Sequence, residues 1–472
     1  MANFFIENFG CRAARADGEA VAAQLERAGH CNEQALEADV VVVNTCSVTA
    51  EADRAARAFI RRTHRRNPQA KIVVTGCYAQ RAPEELAALA GVAAVVGNSH
   101  KALAPELVRS LLDPAEPVRS PELVQIAAAS CGVGQPDTAQ ESGGEPAQLA
   151  APQVLVDERF AHSFLEEEQV RPGAQTRPNL KIQEGCGNRC SFCVIPATRG
   201  PSKSLGHAAV LGQLQGFVAA GGNELVLSGI NLGRWGRDLA EKTTLAALVR
   251  ELMETTTLPR LRLSSIEPMD WDAELIALMA EFGGTRLARH AHLPLQSGSD
   301  GVLRRMFRRY RPWHYAARVE ALVAAAGQAL TLGADVMVGF PGETDAEFEE
   351  TVAMIRALPF GYLHLFPFSP RPGTLAWHAE EQVAHPLVEE RMARLRALGE
   401  EKMQAHRRQF VGQTLPALTL HTAAEVAARG RSTALTDNFL PVELVGGLEA
   451  NQMVAVRVTG LTAAGELEAE AV

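Results

Sequence analysis

No apolar run in the 472 residues is long enough to span a bilayer, and the N-terminus, MANFFIENFG, lacks a basic segment followed by a long apolar one. Both absences argue against a membrane partner and a secretory leader, so the expected location is cytoplasmic. Positive charge is in deficit as well, with 46 Lys and Arg against 55 Asp and Glu and a formal net charge of −9. Indiscriminate nucleic-acid binding is thereby disfavoured, and any RNA contact must rest on local basic patches. Cysteine is sparse, at eight residues. Their places beside Gly or at strand ends fit metal-binding thiols in a reducing compartment better than disulfides. The length allows two to four domains, each large enough to bury its own core.

What is present begins with Gln183 to Gly200, QEGCGNRCSFCVIPATRG. Cys186, Cys190 and Cys193 stand four and then three residues apart, so one loop can turn three thiolates toward a single point. A structural zinc site wants a closed set of four, and no fourth Cys or His lies close by in the sequence. Three thiolates instead leave an iron–sulfur cubane one ligand short, and an iron with no protein ligand can bind and act on a small molecule.

Residues 1 to about 110 alternate apolar runs (Phe4 to Ile6, Val40 to Val43, Ile72 to Val74) with helical patterns around Ala20 to Ala28 and Ala50 to Arg62. The alternation predicts a parallel sheet with helical crossovers. A cysteine follows each of the three strands, in FGCR (Cys11), NTCSVT (Cys46) and TGCYAQ (Cys77). Ligands bind where parallel strands end, so the three thiols are expected on one sheet edge as a second three-cysteine site. Cys31 and Cys131 fit neither pattern and are expected to be inert.

Residues 113–175, rich in Ala, Gly, Gln, Pro and Glu, read as a flexible linker. From about 176 to 405 strand candidates return at Leu180 to Gln183, Glu224 to Leu227, Arg260 to Ser264, His292 to Leu295 and Ala334 to Val338. Helical segments such as Leu245 to Met253 and Ala346 to Ala357 lie between them, and a partial (βα) barrel fits the count, the first strand delivering the cysteine loop to its C-terminal face. Residues 408–472 carry short runs (Pro416 to Leu420, Leu440 to Val445, Met453 to Val458) between Gly and Asn turns, as in a small β-barrel that binds RNA or caps the larger one. The fold class is α/β throughout the first two domains.

The loop CxxxCxxC, with Phe192 before its last cysteine, resembles the signature of radical S-adenosylmethionine (SAM) enzymes. With GGNELVLSGINLG (Gly221 to Gly233), LRLSSIEP (Leu261 to Pro268), HLPLQSGSD (His292 to Asp300) and GADVMVGFPGETD (Gly333 to Asp345), the chain resembles the radical SAM methylthiotransferases over nearly all its length except the linker. Through NTCSVTAEADR, VVTGCYAQ, RGPSKS and LHLFPFSPRPGT it is most similar to the group acting on threonylcarbamoyladenosine at tRNA position 37. Members acting on isopentenylated adenosine in tRNA, or on an aspartate of a ribosomal protein, stand as alternatives, as does a metal-bound RNA-binding module without activity.

The resemblance implies an N-terminal cluster domain over 1–112, a radical SAM core over 176–405 and a C-terminal TRAM domain over 408–472. It implies two [4Fe-4S] clusters, one on Cys186, Cys190 and Cys193 and an auxiliary one on Cys11, Cys46 and Cys77, with SAM as methyl donor and radical source. Phe192, Gly222, Glu224, Ser264, Gln296 and Asp335 would face SAM, with Gly222 and Glu224 receiving its methionine amine and the last three facing SAM or substrate. The partners implied are a tRNA, a low-potential flavodoxin- or ferredoxin-like electron donor and a sulfur donor. Three positions depart from the family pattern: Ala14 replaces an Asn, Gly187 an acidic residue and Ala197 a Tyr. For RNA, IRRTHRR (Ile60 to Arg66) and LRRMFRRYR (Leu303 to Arg311) stand out. At helical spacing, Arg304, Arg305, Arg308 and Arg309 are expected to form a positive band against phosphates.

Overall fold

The computed structural model describes residues 2–113, 152–164, 170–172 and 175–472. It divides into two compact units, Met1–Glu168 with Val194–Pro201, and Gln169–Cys193 with Ser202–Val472.

The first unit is built on valine-rich strands. In chain order it contains β1 (Asn3–Asn8), α1 (Arg12–Arg27), β2 (Cys31–Asn32), β3 (Val40–Thr45), α2 (Ala50–Arg66), β4 (Lys71–Gly76), α3 (Cys77–Arg81), α4 (Pro83–Ala87), β5 (Val92–Gly97), α5 (Ala104–Leu112) and β6 (Gln153–Leu155). The strands form one parallel sheet in the order β2-β1-β3-β4-β5-β6. Alternation of side chains splits β3 between two cores: Val40 and Val42 pack with Phe4, Val73 and Leu107, whereas Val41 and Val43 pack with Phe59, Ile72 and Val74. A strand buried on both faces is why the run VVVV shows no polar alternation. Thr49 caps α2 by accepting from the Ala52 amide, and His64, Arg65 and Arg66 fill its last turn, where the helix dipole favours cations.

The expected linker, 113–175, does more than connect. Gln153–Leu155 extends the sheet beside β5, and Gln80 donates to the Asp157 carbonyl at 2.8 Å. Three residues that pair on an existing sheet edge need little apolar pattern of their own, so composition concealed them. The middle of that segment, with Cys131, lies outside the described residues.

In the second unit six parallel strands follow in chain order: β7 (Asn179–Glu184), then, after the short antiparallel β8 (Lys203–Ser204), β9 (Glu224–Gly229), β10 (Arg260–Leu263), β11 (His290–His292), β12 (Thr331–Val338) and β13 (Phe360–Pro367). They make two sheets, β10-β9-β7-β8 and β11-β12-β13, and a parallel bridge from Leu261 to Leu287 links β10 to the residues entering β11. The result is the expected partial (βα) barrel. Three of its crossover helices start at side-chain caps, Thr244 to the Ala247 amide, Asp272 to Leu275 and a Thr344–Glu347 capping box. The regular strand expected at His292 to Leu295 ends at His292, although the amides of Leu293 and Leu295 still donate to the carbonyls of Gly333 and Asp335 on β12.

After the helix His385–Arg408, the chain closes a five-stranded barrel, β14 (Thr414–Thr419), β15 (Arg431–Thr436), β16 (Pro441–Val445), β17 (Met453–Leu461) and β18 (Leu467–Ala471), in the order β14-β15-β16-β18-β17. This small barrel docks where the larger barrel's strands begin. Arg289 forks onto the Asp437 carboxylate at 2.6 and 3.1 Å, Arg262 donates to the carbonyls of Thr436 and Asp437, and Asn451 donates to the Gly221 carbonyl. Phe439, held at φ 67°, stacks on His290 with ring centroids 4.3 Å apart.

Candidate functional site

Strands β1, β3 and β4 are neighbours in the sheet, so the cysteines that follow them share one edge. Cys11 precedes α1, Cys46 follows β3 and Cys77 opens α3. Gly10, at φ 113°, is required by this approach: a Cβ there would stand 2.7 Å from the Cys46 Cβ. Cys77 accepts hydrogen bonds from Arg199 Nε at 3.2 Å and Asn98 Nδ2 at 3.4 Å. Arg199 is itself fixed by Asp17, which also holds Lys101. Burial, reinforced by Cys77 and Cys11, pushes the Cys46 thiol up to about 12. A thiolate there needs a bound cation, whereas the donors on Cys77 suit sulfur that carries negative charge; the edge fits a metal cluster held by three thiolates.

The second three-cysteine set lies in the other unit, on the loop after β7. Gln183 donates to the carbonyls of Glu184 and Gly185 and fixes where the loop leaves the strand. The Asn188 amide and Asn231 Nδ2 point at Cys186 Sγ (3.4 and 3.5 Å), and Arg308 Nη1 points at Cys190 Sγ (3.4 Å). Ser191 ties the loop to the chain beyond β11 through the carbonyls of Arg305 and Met306. Phe192 packs edge-on against Phe340, which anchors the loop to the barrel wall. Donors aimed at two of the three sulfurs again fit thiolates that ligate iron.

Around this loop the C-terminal strand ends present polar atoms with no hydrogen-bond partner among the described residues: Ser264 Oγ, Gln296 Oε1 and Asn231 Oδ1, each buried. Gln296 adopts φ 62° while its amide donates to the Asp335 carbonyl at 2.7 Å. Buried polar atoms left open in this way call for a ligand to complete them, and a polar molecule such as SAM fits. Asp335, expected to face SAM or substrate, has its Oδ1 3.4 Å from His292 Nε2 and 3.3 Å from His364 Nδ1. Burial alone would raise its carboxyl, but the two imidazoles hold it well below the usual range.

Gly222 and Glu224 do not join this site. They lie where β9 begins, at the opposite end of the strand from the cysteine loop. A Cβ on Gly222 would strike the Phe217 ring at 2.2 Å, so that glycine makes room for packing. Glu224 is wholly buried among Arg262 (2.7 Å), Arg260 (3.3 Å) and Arg177 (3.4 Å). Burial would raise its pKa, but the arginines bring it down to about 2. Asn231, at the other end of the same matched stretch, is the residue that reaches the cysteines. Sequence reasoning passed over it and over the contact of Arg308 with Cys190, and did not single out His292 or His364 beside Asp335, although Asn231 follows the C-terminal end of a barrel strand.

The arginine band also needs correcting. The helix ends at Arg305 and Phe307 turns to φ 56°, so 304–309 share no helical face. Arg308 is buried against Glu267, Tyr310 and Cys190, which removes it from any RNA surface. Arg305 is committed to Glu347, and Arg304 pairs with Asp300 while staying exposed, as is Arg309. On α2, Arg61, Arg62, Arg65 and Arg66 are all exposed. Of the three departures, Ala14 is buried with its carbonyl accepting from Asn44, Gly187 has open space at its Cβ and Ala197 is exposed. Cys31 is half-buried on β2, apart from both sets. Among the described residues no helix is long and apolar enough to cross a membrane.

Comparison with known proteins follows the same division. A family described as "Uncharacterized protein family UPF0004" matches residues 3–97, and the radical SAM superfamily matches residues 180–355. Threonylcarbamoyladenosine tRNA methylthiotransferase MtaB of Bacillus subtilis (strain 168) is 34% identical over 448 residues, 94% of this chain and 91% of that protein. The tRNA-2-methylthio-N(6)-dimethylallyladenosine synthase of Geobacter metallireducens is 30% identical, covering 96% and 95%. In fold, the chain is similar to the radical S-adenosylmethionine methyltransferase TsrM of Kitasatospora setae, solved with cobalamin and a [4Fe-4S] cluster, at TM-score 0.50 and 16% identity over 80% of this chain and 77% of that one. A match of this length to MtaB, with a cysteine set in each matched region, means that the chain belongs to the radical SAM methylthiotransferase family.

Proposed function

We propose that this enzyme adds a methylthio group to carbon 2 of N6-threonylcarbamoyladenosine at position 37 of tRNA. The observation that carries the reaction class is the pair of three-cysteine sets in one chain, one on a sheet edge and one on a barrel loop. The choice of adenosine rests on the similarity to MtaB across 94% of the chain. Cys186, Cys190 and Cys193 would hold one [4Fe-4S] cluster, and Cys11, Cys46 and Cys77 a second. When bound, these groups supply the one-electron cleavage of SAM that activates an unreactive adenine C–H, and the sulfur that a further SAM methylates.

The chain's own residues bind, orient and shield. Asn188, Asn231 and Arg308 direct donors at the loop sulfurs and so hold the three thiolates in place. Ser264, Gln296 and Asn231 offer open polar atoms to SAM, and Phe192 closes the loop onto the wall. Arg199 and Asn98 hold Cys77 at the sheet edge. For the tRNA, the exposed arginines of α2 with Arg304 and Arg309 are the candidate phosphate contacts, and the small C-terminal barrel is a TRAM-like RNA-binding domain. A low-potential flavodoxin- or ferredoxin-like donor and a sulfur donor complete the system in the cytoplasm.

The test is anaerobic reconstitution with iron and sulfide, followed by SAM, dithionite and tRNA bearing threonylcarbamoyladenosine. The expected products are 5′-deoxyadenosine and a methylthio mass gain in the digested nucleosides, both lost in Cys190→Ala. Deoxyadenosine without the mass gain on this tRNA would overturn the substrate assignment. Neither product from a fully iron-loaded protein would overturn the reaction itself.

A further inference from the structure

The β11–β12–β13 sheet brings together a group that the two cysteine sets leave unused. His292 pairs in register with Gly333, and His364 with Asp335. Gly333 and Asp335 lie two apart on β12, so the side chains of His292, Asp335 and His364 emerge on one face. One ligand atom from each of His292, Asp335 and His364 lies within 4.8 Å of the other two. The His292 side chain is about nine-tenths buried, and Nε2 has no hydrogen-bond partner among the described residues.

The separations themselves point to a ligand. An imidazolium hydrogen-bonded to a carboxylate closes to about 2.7–2.9 Å. Here both imidazoles stand off the same oxygen, at 3.4 and 3.3 Å. Zinc bonds of about 2.0–2.1 Å at tetrahedral angles set neighbouring ligand atoms about 3.3 Å apart. The other nitrogen of His292 is fixed as metal-bound imidazoles are, with Nδ1 2.6 Å from Ser265 Oγ. Tyr362 lies parallel to the same ring, 7° between planes and centroids 5.9 Å apart, and holds its orientation.

We propose that His292, Asp335 and His364 form a mononuclear divalent-metal site, separate from both cysteine sets. Two imidazoles and a carboxylate suit zinc or ferrous iron, and three protein ligands leave a coordination position open. The half-exposed rim of the site, with His364 at 62% side-chain exposure and Asp335 at 25%, gives the ion a way in.

The test uses the full chain with its iron–sulfur content reconstituted. One equivalent of Zn²⁺ is added, excess is removed by gel filtration, and zinc is counted and its K-edge absorption fine structure recorded. The expected result is about one zinc per chain with a shell of nitrogen and oxygen only. His364→Ala and Asp335→Asn should each lower retained zinc at least tenfold while iron and sulfide per chain stay at the unsubstituted level. Zinc with sulfur in its shell, zinc retained equally by both variants, or no zinc after gel filtration would each overturn the proposal. Because nothing in this readout depends on turnover, it is independent of the substrate assignment.

Discussion

Glu224 is the residue on which the family resemblance and the structure part most sharply, and Glu224→Gln separates them. The resemblance places this carboxylate on the methionine amine of SAM. The structure surrounds it with Arg177, Arg260 and Arg262, and Arg262 in turn grips the carbonyls of Thr436 and Asp437. The drop from the ordinary 4.5 to about 2 corresponds to about 3 kcal/mol of stabilisation at neutral pH. Because the folded pKa is depressed, that stability is present above about pH 4.5 and is lost as pH falls toward 2. Gln keeps the shape but leaves the arginines uncompensated, a loss of about 3–5 kcal/mol for a broken buried pair. At roughly 2 °C or more per kcal/mol, the melting temperature should fall by roughly 6–10 °C. Differential scanning fluorimetry of the anaerobic protein reads that shift, and equilibrium binding reads the SAM affinity, which should stay within about twofold of the unsubstituted protein. An unchanged melting temperature with SAM binding weakened tenfold or more would refute the placement of Glu224 as a buried brace.

Two further outcomes follow from the packing. Arg308→Met removes a cationic donor from Cys190 and should lower the reduction potential of the loop-bound cluster, as read by redox titration followed by electron paramagnetic resonance, while tRNA affinity stays unchanged; the opposite pair of results would return Arg308 to the RNA surface. Burial lowers the pKa of His406, which shares a hydrogen bond with Thr331 Oγ1, to about 4. Stability should therefore decline between pH 6.5 and 4 by about 3 kcal/mol on account of this side chain, and His406→Gln should flatten that part of a melting-temperature profile.

Much of the architecture was legible because its signals are local. A short run of β-branched residues such as VVVV reads as a doubly buried strand, and cysteines that follow three parallel strands have one sheet edge to share. The loop set was legible for the same reason, three ligands within eight residues. What failed needed long-range information. Glu224 and Asn231 lie in one matched stretch, yet six residues of strand, about 20 Å at 3.3 Å each, separate the two ends. The arginines that claim Glu224 come from other segments of the chain. The run from Arg304 to Arg309 looked like a helix face, but Phe307 reverses the backbone and carries Arg308 inward. The group formed by His292, Asp335 and His364 arises from strand register, which no single stretch of sequence contains.

The most direct measurement of the central claim offers two tRNAs to the same reconstituted enzyme, one bearing threonylcarbamoyladenosine and one bearing isopentenyladenosine at position 37, with the methylthio product of each followed by mass spectrometry. The account predicts that the threonylcarbamoyl nucleoside gains the methylthio group and the isopentenyl nucleoside does not. Accumulation of the methylthio isopentenyl product, with the threonylcarbamoyl nucleoside unchanged, would contradict it.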